Sequence, residues 1–105
     1  MKLIAIALTT AGFLTAAGSA AAAVSDVDYL KANRCRGLAE GGLASVDTAA
    51  MDAFIKNEQR TRSSFIADRG KVEYDKAKRE AKTDSTDRKA RLTAELTGPC
   101  QVYKG

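Results

Sequence analysis

Hydrophobic and polar positions divide the chain into an apolar leader and a mostly polar remainder. Leu3 to Leu14 is an apolar run relieved only by Thr9, Thr10 and Gly12, and Thr15 to Ala23 is built of small residues. With Met1 and Lys2 as a short positive start, residues 1–23 read as a cleaved secretory signal peptide. Ala21-Ala22-Ala23 offers a cleavage site that leaves Val24 as the new terminus, and Gly18-Ser19-Ala20 offers another. Residues 24–105 then form one small helical domain, with no membrane-spanning segment expected once the leader is removed.

Within that domain the apolar spacing is helical. Ser25 and Asp28 have the form of a capping box, and Val27, Leu30, Cys35 and Leu38 recur on one face until Gly41-Gly42 interrupts the pattern, so a first helix is expected over 26–40. Asp47 or Thr48 can open a second helix over 47–69. Its apolar pairs Phe54-Ile55 and Phe65-Ile66 lie eleven residues apart, three turns of one stripe. A third helix over 75–97 is rich in strong helix formers and carries Leu92 and Leu96 on a face otherwise dominated by alanine. Gly98-Pro99 stops it just before Cys100. The expected core or interaction stripe is Met51, Phe54, Ile55, Phe65, Ile66, Leu92 and Leu96.

Two cysteines in an exported chain read as one disulfide, and with only Cys35 and Cys100 present the pairing has no alternative. The bond forces the chain to reverse, because a continuous helix from 47 to 97 would be about 75 Å long and would carry Cys100 far from Cys35. Asp68-Arg69-Gly70 and Thr83 to Thr86 are the two candidate breaks. Gly70 leaves arms of similar length, with Met51 opposite Leu96, Ile55 opposite Leu92, Glu58 opposite Arg88, and Arg62 opposite Asp84 or Ser85. The expected fold is therefore all-α: a short N-terminal helix plus an antiparallel helical hairpin tied by Cys35–Cys100.

Composition sharpens this. Of the 82 residues after Ala23, only 14 are Leu, Ile, Val or Phe, about 17%, a thin core for an isolated domain. The 105-residue chain has a net charge of +4, falling to +3 when Lys2 leaves with the leader. Histidine and tryptophan are absent, so imidazole base chemistry, histidine metal ligation and Ser-His or Cys-His nucleophiles are excluded within the chain. Asp26-Val27-Asp28 lacks the loop of a calcium site and is read as a helix cap, and no metal or cofactor is expected. Ser63, Ser64 and Ser85 have no candidate base, so no enzyme activity is expected.

Residues 71–91 hold eight bases, Lys71, Lys76, Lys78, Arg79, Lys82, Arg88, Lys89 and Arg91, against five acids. Asp75–Arg79, Asp84–Arg88 and Asp87–Arg91 have the i,i+4 spacing of helix-stabilising ion pairs, which is the ordinary reading of such a face. With Tyr74 the one aromatic residue among these bases, no series of stacking platforms is present and specific nucleic-acid binding is not expected. The sequence points first to a periplasmic or secreted, non-enzymatic protein-interaction or structural module, self-associating or bound to a protein partner. The alternative is a binder of anionic ligands, such as lipid head groups, polysaccharide or nucleic acid, through the eight bases. A third reading is a small stress chaperone whose loose core opens.

Overall fold

A computed structural model describes residues 24–104; the leader expected over 1–23 lies outside the described residues. The described chain is all-helical: α1 Asp26–Glu40, α2 Ala49–Gln59, α3 Ser64–Glu80 and α4 Thr86–Thr97, followed by the 3-10 segment Pro99–Lys104. None of these helices is long and apolar enough to cross a membrane.

α1 begins where its capping box dictates. The Asp28 amide donates to Ser25 Oγ at 3.1 Å and the Ser25 amide donates to Asp28 Oδ2 at 3.4 Å. Its buried side is only in part the expected stripe of Val27, Leu30, Cys35 and Leu38: the last two are buried as expected and the first two are not. Val27 is exposed, Leu30 is half-buried, and Tyr29, Ala32, Asn33, Cys35, Gly37 and Leu38 are buried. The reason is that α1 is central: it meets α2, α3, α4 and the 3-10 segment, so its buried surface extends around the helix.

The helix expected over 47–69 is two helices. α2 ends at Gln59, where Thr61 Oγ1 donates to the Glu58 carbonyl at 2.9 Å, and α3 starts where Ser63 Oγ accepts from the Ile66 amide at 3.2 Å. Hydroxyl side chains here supply backbone hydrogen bonds that a continuous helix would otherwise make, and this ends one helix and opens the next. Gly70, the expected point of reversal, lies inside α3. Nor is there a helix from 75 onward to 97. Ser85 Oγ accepts from the Arg88 amide at 3.2 Å and opens α4, so the second expected break is used while the Gly70 break is not.

The main helix pair is also different from the expected hairpin. α1 packs along α3, and the two run parallel: Gly70 lies against Tyr29 and Asn33, Gly37 against Tyr74 and Ala77, and Gly41 against Ala81. α2 is the crossover between them. It runs antiparallel to α1, with Arg36 bonded to Asp52 and Arg62 to Asp26. Small residues permit the parallel contact. A Cβ on Gly37 would overlap the Tyr74 carbonyl oxygen and stand 2.9 Å from the Ala77 Cβ.

Gly98-Pro99 ends α4 as expected and delivers Cys100 to Cys35, with the Cα atoms 5.6 Å apart. The bond lies in the larger of two apolar clusters, with Leu38, Met51, Ala77, Ala81, Leu92 and Leu96. Tyr29, Ala32 and Ile55 form the other. Tyr103 packs against both clusters, its ring 5.5 Å from that of Phe54. Met51 and Leu96 thus share a core, as expected, whereas Ile55 and Leu92 lie in separate clusters. Glu58 pairs with Arg62 rather than Arg88, because the turn at 60–63 brings Arg62 to Glu58 and Asp26. Phe65, expected in the core stripe, is 68% exposed because the new helix start turns it outward; Phe54 and Ile66 are half-buried.

Candidate functional site

Of the eight bases of 71–91, Lys71, Lys76, Lys78 and Arg79 lie on α3, Lys82 in the turn after it, and Arg88, Lys89 and Arg91 in the first turns of α4. Lys71, Lys76, Arg79, Lys82, Arg88, Lys89 and Arg91 are exposed; Lys78 is half-buried, its ammonium 5.7 Å from the centre of the Tyr74 ring. From Asp84 to Arg91 every residue is exposed, so the α3–α4 corner and the start of α4 carry their charges clear of the body. Lys71 stands apart from this corner, in a cleft between α1, α2 and α3.

The acids of the same stretch are distributed differently. Glu80 lies 3.1 Å from Arg34 Nη1, and the same guanidinium grips Glu95 through Nε at 2.7 Å and Nη2 at 2.9 Å. The Glu95 hydrogen bonds, then Glu80, outweigh the opposing effect of burial and hold Arg34 well above the ordinary arginine range, so it is permanently charged. Glu73 is paired with Arg69 at 3.8 Å. Two of the five acids are therefore drawn toward cations outside the segment. None of the eight bases is within 4.0 Å of a carboxylate among the described residues, and the expected pairs Asp75–Arg79, Asp84–Arg88 and Asp87–Arg91 are open. Each such exposed pair gains only a few tenths of a kcal/mol at best against side-chain entropy, which leaves both charges in solvent.

Of the remaining site residues, Cys35 and Cys100 form the bond, and Met51, Ile55, Leu92 and Leu96 are buried in the protomer's own core. Phe65 and Val72, two turns apart on α3, stay exposed. The chain matches no family model, no curated protein and no solved structure. Its function must come from these surfaces. Sequence reasoning found the bases but missed Tyr29, Asn33, Asp68 and Asp75, which line the cleft with Lys71. Their signal was the i,i+4 spacing of Tyr29 and Asn33 and the i,i+7 spacing of Asp68 and Asp75, each placing a pair on one helix side.

Proposed function

We propose that this is an exported, non-enzymatic helical binding module of the cell envelope whose working surface is the basic α3–α4 corner, docking on an anionic partner. One observation carries the reading: two of the segment's five acids, Glu80 and Glu73, are held by Arg34 and Arg69, while its eight bases stand unpaired and outnumber the three remaining acids among the described residues. Residues 82–91 include no large apolar side chain, which favours an anionic polymer over insertion into a bilayer. Binding of the purified protein to a sulfated polysaccharide and to phosphatidylglycerol vesicles tests it. Replacing Lys82, Arg88, Lys89 and Arg91 by Gln is expected to abolish polymer binding. For about four contacts, raising salt from about 50 to 200 mM weakens the parent roughly a hundredfold, as counterion release requires. No binding to either probe at low salt overturns the reading.

A second reading, docking on a protein or a second copy, is favoured by Phe65 and Val72, exposed on one side of α3. Much of the stripe that motivated self-association is already buried within the protomer, so these two side chains are what remains of the motive. Sedimentation at micromolar concentration separates the cases: a dimer that dissociates in Phe65→Ser supports the second reading, and a strict monomer removes its self-association form.

A further inference from the structure

We infer that the cleft between α1, α2 and α3 binds a small zwitterion of the amino-acid or dipeptide class. The cleft measures about 390 Å³ and is open to solvent. Two of its lining residues are polar and more than nine-tenths buried: Tyr29 at 2% exposure and Asn33 at 5%. They are seated under Gly70, where a Cβ would stand 2.8 Å from both Asn33 Nδ2 and Tyr29 Cε2. Asn33 Nδ2 donates to the Tyr29 carbonyl at 3.0 Å. Among the described residues, however, neither Asn33 Oδ1 nor the Tyr29 hydroxyl takes part in a protein hydrogen bond. Neither atom is sealed from solvent, so their hydrogen-bonding capacity is open to whatever enters the cleft.

The charged lining defines what that is. Asp68, Lys71 and Asp75 line the cleft from α3, and none is in an ion pair among the described residues. Arg36 also lines it but is committed to Asp52, to Glu40 at 3.3 Å and to the face of Tyr74 at 4.6 Å. Two free carboxylates, an amide oxygen and a phenol suit an ammonium group, with its three donors; the one free cation, Lys71, suits a carboxylate. A simple anion would meet two carboxylates, and a simple amine would leave Lys71 opposed. This site is separate from the basic corner and does not rest on the docking proposed there.

The test uses alanyl-alanine, its N-acetyl derivative and its amide, titrated into the purified protein with the Asn33 side-chain amide followed by NMR. Alanyl-alanine is expected to shift that resonance and to bind roughly tenfold tighter than either blocked form, the loss expected for one charge-assisted hydrogen bond. Asp75→Asn and Lys71→Gln are each expected to weaken it to a similar extent, with helicity retained, while Lys31→Gln, at an exposed position of α1 outside the cleft, leaves it unchanged. No shift at millimolar peptide means that water alone fills the cleft and overturns the inference. Equal binding of the blocked forms overturns the zwitterion.

Discussion

At Gly37 and Gly41 the identity of a single atom decides how close two helices can come. Alanine is intrinsically better in a helix by about 1 kcal/mol, but at position 37 its methyl group would strike the Tyr74 backbone, which cannot rotate aside. Gly37→Ala is therefore expected to destabilise the protein by about 2 kcal/mol net, read as a lowered midpoint in urea. Tyr74 gives a second residue-level expectation. Its hydroxyl donates to Glu40, and this bond, followed by burial, raises its pKa above the ordinary 10; burial, with a smaller effect of Asp28, does the same at Tyr103. The folded state holds these protons more tightly than the unfolded chain. The stabilisation is thus complete below about pH 10 and is lost as pH climbs through the higher folded values. Thermal melts across about pH 9 to 11 should show a falling midpoint, less steep in Tyr74→Phe; an unchanged slope in that variant would remove Tyr74 as a cause.

Helix boundaries were readable where side-chain chemistry is local. Ser25 and Asp28 opened α1, Gly98-Pro99 closed α4, and Cys35–Cys100 followed from there being no other cysteine. The break at 60–63 was hidden because Phe54-Ile55 and Phe65-Ile66 keep helical phase across it, although Phe65 in fact points outward. Ser63 was the overlooked cap, and Ser63→Ala should cost about 1 kcal/mol, as should Ser85→Ala at the start of α4. Far-UV melts check both. The parallel α1–α3 contact was hidden for a different reason: Gly70 looked like a chain break but provides room for α1, and Gly41, which ends α1 as expected, also makes room for Ala81 of the neighbouring segment. The candidate corner was half legible. Its bases stand in the sequence, but the removal of Glu80 by Arg34, 46 residues away, is a tertiary event.

Across the whole molecule the disulfide closes a loop spanning 65 positions of sequence, joining α1 to the segment after α4. Chain entropy gives such a loop about 4 kcal/mol, a large share of what a domain this small can have. Cys100→Ser, with Cys35→Ser to avoid a free thiol, is expected to lower the melting temperature by more than 10 °C, on the order of 4–8 °C per kcal/mol. Because both cysteines are buried, a mild reductant should act only as fast as the fold opens. Rapid reduction under native conditions would show that the 3-10 segment detaches on its own.

The parallel pairing also sets an order of assembly. As the chain is made from its N-terminus, α1 emerges about 40 residues ahead of the α3 positions it packs against, and it waits through α2 with its glycine groove uncovered. α1, α2 and α3 are all complete by Glu80, before the second cysteine exists. Sulfur chemistry therefore arrives at a body whose helices can already have met. It acts as a late lock on that body, so a chain stopped short of Cys100 should retain α1 to α3 contacts while lacking the reinforcement that makes them durable.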